Sequence, residues 1–134
     1  MDDAERLEGL EAALERLAAL SADHVILVEG LKDEVALRAA GVDGEFYHVQ
    51  SGGGPVRAAE HVWRKGSAAV VMTDWDRRGG SLAASLRENL ESLGVPYDDT
   101  VRRDVAVHVR PYSKDVESLD SALGMLRMRV GRPG

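Results

Sequence analysis

Apolar and polar positions alternate along the chain in two rhythms, and the rhythms take turns. Residues 2–20 carry Leu7, Leu10, Leu14 and Leu17 at helical spacing, with Leu20 extending the stripe and acidic residues crowding the first turn. That pattern predicts an amphipathic helix whose acidic start suits the helix dipole. The stripe is too short to specify a coiled coil, so we read it as docking on the domain's own core, with a dimer seam as the alternative. Ser21–Asp23 breaks the helix, and His24–Val28 follows as an apolar, β-branched run of strand length. Leu31–Ala40 returns to helical spacing and Gly41 closes it. Glu45–Val49 predicts a second strand, Gln50–Pro55 a glycine-rich turn, and Val56–Lys65 a helix. Ala68–Met72 reads as a buried third strand, followed by a helix over Ser81–Leu93 that Gly94 and Pro96 stop. Val105–Val109 predicts a fourth strand and Val116–Met128 a last helix.

Strands alternating with helices predict an α/β fold, a mainly parallel, Rossmann-like four-stranded sheet with right-handed crossovers and helices on its faces. Residues 1–21 form the leading helix. Residues 22–134 form the α/β domain, ending in a helix and a short basic tail, Arg127–Arg132. No internal repeat, low-complexity segment or linker divides the chain.

The chemistry gathers where the strands end. The third strand runs into Asp74-Trp75-Asp76-Arg77-Arg78-Gly79-Gly80, and the first runs into Glu29-Gly30. In open α/β sheets, ligands bind beyond the carboxyl ends of the strands. Neighbouring parallel strands lie ~4.8 Å apart, so Glu29, Asp74 and Asp76 would converge if their strands are neighbours. Three carboxylates at one point repel one another unless a cation sits among them, and hard oxygen donors suit Mg²⁺, with Mn²⁺ as a substitute. A carboxylate not committed to metal can serve as general base or acid. The plainer reading gives Asp74 and Asp76 turn and helix-capping duty.

Composition bounds the class. At 134 residues with 44% hydrophobic and 30% charged residues, the chain is expected to be one globular domain with a real core. It has no cysteine, which excludes disulfides and thiolate metal sites. No apolar run approaches the ~20 residues that span a bilayer, and the acidic start does not resemble a signal peptide. A cytoplasmic protein away from membranes is expected. The net charge of −6 runs against the usual basic footprint of a nucleic-acid partner, although charge on one face matters more than the total.

Supporting residues have two readings each. Gly52 and Gly53, before a helix, offer backbone N–H groups to a phosphate, or serve as a permissive turn. Lys32, Arg77 and Arg78 flank the acidic residues in sequence and would contact substrate phosphates, or pair with the site's own carboxylates. Lys114, Asp115 and Glu117 would fold back to the site, or start a helix. Trp75 would stack on a base or pack beneath the adjacent helix. His108 is expected inside a strand as a core or face residue, and His24, His48 and His61 show no ligand spacing. The basic tail would touch nucleic acid, or fray.

Val28-Glu29-Gly30-Leu31-Lys32-Asp33, followed by Thr73-Asp74-Trp75-Asp76-Arg77-Arg78-Gly79, resembles the motif pair of the Toprim domain. That module is shared by bacterial-type primases, type IA and type II topoisomerases, overcoming-lysogenization-defect nucleases, recombination-repair proteins and the 5S ribosomal RNA maturation nuclease. The resemblance covers Ala22–Tyr112. It is greatest to small stand-alone archaeal Toprim proteins, which also have a short leading helix and a late Lys-Asp-Val-Glu segment, here Lys114–Glu117.

The resemblance implies that Glu29 is the general base or acid and that Asp74 and Asp76 hold Mg²⁺. Asp33 would match an acidic residue that supports the site or the helix start. Arg78 stands where topoisomerases carry a third aspartate, which argues against their two-metal arrangement. No tyrosine-bearing domain, zinc module or helicase-contact domain accompanies the motifs, so topoisomerase and complete primase are not expected.

Three functions follow as expectations. The first is a small Mg²⁺-dependent nuclease acting on RNA or DNA, similar to the rRNA maturation type. The second is a non-catalytic nucleic-acid or ribonucleoprotein-binding module, acting with a protein partner. The third is a haloacid-dehalogenase-like phosphatase, which fits poorly because that family places Asp-x-Asp on its first strand. Monomer and homodimer are both compatible with the sequence.

Overall fold

Strand alternation sorts the core into two layers. In the computed structural model, which describes residues 1–131, four parallel strands form one sheet in the order β2-β1-β3-β4. They are β1 (His24–Val28), β2 (Glu45–His48), β3 (Ala68–Val71) and β4 (Tyr97–Asp98). Ile26, Val28, Val70 and Met72 face one way and pack with α1 (Asp3–Leu20), α2 (Leu31–Ala39), α5 (Thr100–Val109) and α6 (Leu119–Val130). Val25, Leu27, Ala69 and Val71 face the other way, against α3 (Gly54–Arg64) and α4 (Arg77–Ser92). The result is an α/β fold with a four-stranded parallel sheet between two helical layers.

The leading helix is fixed by its N-terminal cap and by its buried face. Asp2 and Glu5 close a reciprocal cap: the Glu5 amide donates to Asp2 Oδ1 at 2.8 Å and the Asp2 amide to Glu5 Oε1 at 3.2 Å. Leu7, Leu10, Leu14 and Leu17 are buried against α5 and α6. Gly9 lets the His108 ring lie on this helix, because a Cβ there would stand 2.0 Å from the imidazole.

The fourth strand is not where the sequence places it. Val105–Val109 belongs to α5, and β4 is the two-residue pairing of Tyr97 and Asp98 with Ala69 and Val70. The valines explain the difference. Val101, Val105 and Val109 recur every four residues and are fully buried, whereas Val107 is exposed. That is a helical period, and it outweighs the local β propensity of valine. His108 therefore lies on a helix, where its Nδ1 meets the Asp104 carbonyl at 2.6 Å.

The other boundaries shift less. Helix α4 begins at Arg77 rather than Ser81, α3 begins at Gly54, and α6 spans Leu119–Val130. In the basic tail, Arg127 pairs with Glu11 at 3.2 Å, and Arg129 lies 3.7 Å from Asp3 with its guanidinium over Tyr112. These arginines tie α6 to neighbouring elements; Arg132 lies outside the described residues. Among the described residues, no helix is long and apolar enough to cross a membrane.

Candidate functional site at the sheet's switch point

Helix α2 carries the chain from β1 to β2 on one side, and α3 carries it back past β1 to β3 on the other. The connections therefore part between β1 and β3, the crevice where open α/β sheets bind ligands. Leu27 is paired with Val71, and the Met72 amide donates to the Leu27 carbonyl at 2.9 Å. That register carries Glu29 and Asp74 past the sheet end side by side.

The two carboxylates are joined through main chain. The Asp74 amide donates to Glu29 Oε2 at 2.9 Å, and Asp74 Oδ1 accepts from the Val116 amide at 3.0 Å. Glu29 is buried to 5% exposure. Asp33 is nearly as buried and accepts from the Gly30 amide at 2.9 Å, so it holds the start of α2 while facing the same cluster.

Burial, only partly offset by the Val116 amide, pushes the Asp74 carboxyl up to about 7, and the charges of Glu29 and Asp33 add to the rise. Burial also raises Asp33, against the Gly30 amide, with Glu29, Glu117 and Asp115 contributing. The cluster is a strained concentration of negative charge that a proton or a cation relieves. It opens into a cleft of about 420 Å³ bordered by Glu29, Asp33, Gln50, Asp74, Arg78 and Glu117.

Asp76 goes elsewhere. Its Oδ1 accepts from the Gly79 amide at 2.6 Å as the N-cap of α4, and the residue is exposed. The capping reading holds for Asp76. Among the described residues, no three carboxylate or histidine side chains are arranged to hold one metal ion. The convergent pair is Glu29 with Asp74.

Gly79 lets α4 start this close to the strand. A Cβ there would fall 2.0 Å from the Asp74 carbonyl oxygen, and the buried Thr73 hydroxyl donates to the Gly79 carbonyl at 2.8 Å. Gly52 and Gly53 serve the turn into α3. The Gly52 amide donates to the His48 carbonyl at 2.9 Å, a Cβ on Gly52 would strike the Tyr47 ring, and Gly53 has φ 99°.

The cations at the cleft are exposed side chains. Arg78, 80% exposed, reaches within 3.7 Å of Glu29 Oε1, and Lys32 lies 3.9 Å from Glu117. Arg77 and Lys114 are exposed. Trp75 is buried, and its indole N–H donates to the Ser113 carbonyl at 3.0 Å. Together with the Val116 bond, this docks the segment that contains Lys114–Glu117 against the end of β3.

Arg102 joins the site from α5. Its Nε donates to the Thr73 carbonyl at 2.9 Å and its Nη2 to the Asp74 carbonyl at 2.6 Å, and burial lowers its pKa. The guanidinium thus fixes the main chain that presents Asp74. Nothing local marks it, since it stands on α5, far from Asp74 in sequence.

No protein-family model matches the chain. A UPF0292 protein of Methanosarcina barkeri is 33% identical over 127 residues, covering 94% of this chain and 88% of its own length. A UPF0292 protein of Pyrococcus abyssi is 30% identical over 130 residues, 97% of this chain and 96% of its own. One from Methanocaldococcus jannaschii is 29% identical over 117 residues, 87% and 91% respectively. The solved structure of an Aquifex aeolicus protein superposes with a TM-score of 0.66 at 21% identity, covering 81% of this chain and 95% of that one. That likeness is one of fold.

Proposed function

The chain belongs to the UPF0292 family, and we propose that it carries out Mg²⁺-dependent phosphodiester chemistry on nucleic acid at the Glu29–Asp74 cleft, as a small Toprim-type nuclease. The observation that carries this reading is the main-chain link between buried Glu29 and half-buried Asp74 at the switch point of a parallel sheet. The Toprim resemblance of the two motifs points to the same residues.

The donor set fits one cation. Mg²⁺ is commonly held by one or two carboxylates, with water and substrate phosphate completing its shell. Asp74 and Glu29 would supply those carboxylates, and their mutual repulsion is the charge that such an ion relieves. Asp76 would join only by giving up its cap on α4. When bound, Mg²⁺ neutralises phosphate oxygens and stabilises the charge that develops during displacement.

The chain's own groups do the rest. Glu29 Oε2 is committed to the Asp74 amide, which leaves Oε1 facing the cleft as the proton acceptor for an attacking hydroxyl or water. Arg78 exchanges Glu29 for a substrate phosphate, a partner that a guanidinium grips with two bonds. Arg102 and the Val116 amide keep Asp74 oriented.

A second reading, a binding module without turnover, draws support from the net charge of −6 and from the pairing of Arg78 and Lys32 with acidic side chains. The phosphatase reading is not favoured, because the Asp-x-Asp pair follows the third strand. The test is calorimetric titration with Mg²⁺ and Mn²⁺, wild type beside Asp74→Asn and Glu29→Gln, with cleavage assays on structured RNA and DNA. The nuclease reading expects binding to weaken sharply in Asp74→Asn, and cleavage to vanish in Glu29→Gln with much of the metal affinity kept. Cleavage unchanged in Glu29→Gln would remove it from the reaction.

A further inference from the structure

A second cavity, of about 350 Å³, opens on the other side of Glu29 and is walled by Val49, Gly54, Pro55 and Leu82. Glu29, Gln50 and Arg78 border both this cavity and the acidic cleft. The two spaces are therefore one depression, acidic at one end and apolar at the other, with a guanidinium above the divide. Its volume lies in the range of small-molecule sites. An apolar wall cannot satisfy a phosphate, which would lose its hydration without gaining donors. It can bury a flat ring whose polar edge stays at the rim.

We infer that this cavity receives the nucleoside adjoining the scissile phosphate. The inference rests on the phosphodiester reading of the acidic cleft and extends it to substrate. The base lies between Pro55 and Leu82 above Val49, and Gln50, whose carboxamide both donates and accepts, meets the base edge at the mouth. Arg78, 3.7 Å from Glu29, is placed to hold the phosphate that links this nucleoside to the cleft. Recognition then combines a phosphate grip with burial of one base, in a chain whose net charge gives little general attraction for a polyanion.

The experiment is equilibrium binding of adenosine and cytidine 5′-monophosphates against ribose 5-phosphate in the presence of Mg²⁺, using wild type, Leu82→Phe and Gln50→Ala. Leu82→Phe fills the cavity from α4, and Gln50→Ala changes an exposed side chain without threatening the core. We expect at least one nucleotide to bind wild type about tenfold or more tighter than ribose 5-phosphate. That preference should collapse in Leu82→Phe while Mg²⁺ affinity is retained, and Gln50→Ala should narrow the gap between the two nucleotides. Equal binding of nucleotides and ribose 5-phosphate, or a preference that survives Leu82→Phe, overturns the inference, as does binding of neither. Base preference without cleavage of any RNA or DNA keeps this pocket and rejects the nuclease reading alone.

Discussion

The Asp74 amide donates to Glu29 Oε2 at 2.9 Å, so the acid just beyond β1 is held by the main chain that carries the acid beyond β3. Moving either strand end disturbs both groups. The behaviour of the site under mutation and pH follows from that linkage.

Asp74 should make metal-free protein less stable as pH rises. Its folded pKa, about 7, lies above the ordinary carboxyl value of 3.8. The folded state therefore holds a proton that the unfolded chain has released between those pH values. The contribution is complete below the unfolded pKa and is lost as pH climbs through about 7. Asp33 is shifted in the same direction, chiefly by burial, and adds to the same slope. Asp74→Asn retains an acceptor for the Val116 amide and should flatten this slope, gaining roughly 1–2 kcal/mol above pH 7 once solvent screening is allowed for. Thermal unfolding from pH 4 to 8 in chelator measures it; an unchanged slope would assign the proton to another group.

Cap and ligand can be separated at Asp76. Asp76→Ser keeps an N-cap acceptor for the Gly79 amide and removes the carboxylate, whereas Asp76→Ala removes both. Stability should fall by about 1 kcal/mol in Asp76→Ala and by much less in Asp76→Ser. Urea denaturation reports the cap, and Mg²⁺ titration of the Ser variant reports how far the carboxylate contributes to metal.

Gly79→Ala should be far costlier than its size suggests. The new methyl would meet a backbone carbonyl, with no flexible side chain to give way. About 3 kcal/mol of destabilisation is expected, with the start of α4 displaced from Asp74. Wild-type stability of this variant would mean that helix and strand separate without resistance.

Arg102→Lys should not rescue Arg102→Ala. A lysine has a single ammonium where the guanidinium spans two carbonyls, those of Thr73 and Asp74. Each variant is expected to lose about 1.5–3 kcal/mol and to bind Mg²⁺ more weakly. Full activity in either would make the bidentate contact dispensable.

Where local periodicity decides structure, the sequence was readable. The leucines of α1 and the apolar runs of β1 and β3 could be placed because each buries a face that its own spacing defines. Glu29 and Asp74 could be placed beyond strand ends for the same reason. Val105–Val109 misled because five residues of alternating valine fit a strand, and only Val101 reveals the four-residue recurrence. β4 has two residues and is created by its pairing with β3, so no local signal exists for it. Asp76 has both a ligand and a capping reading in the sequence, and the fold makes it the cap of α4, which starts before both glycines. Arg102 reaches Asp74 only through the closed fold.

The chain has two tryptophans, and they occupy opposite environments. Trp63 is 55% exposed on α3, while Trp75 is buried between Asp74 and Asp76 with its indole bonded to the Ser113 carbonyl. With Trp63→Phe, the remaining tryptophan, excited selectively over the tyrosines at long wavelength, stands inside the acidic loop itself. Its emission becomes an intrinsic optical gauge of that loop, so that ion entry, or release of the 113–118 segment, can be followed in real time without a label or a known substrate.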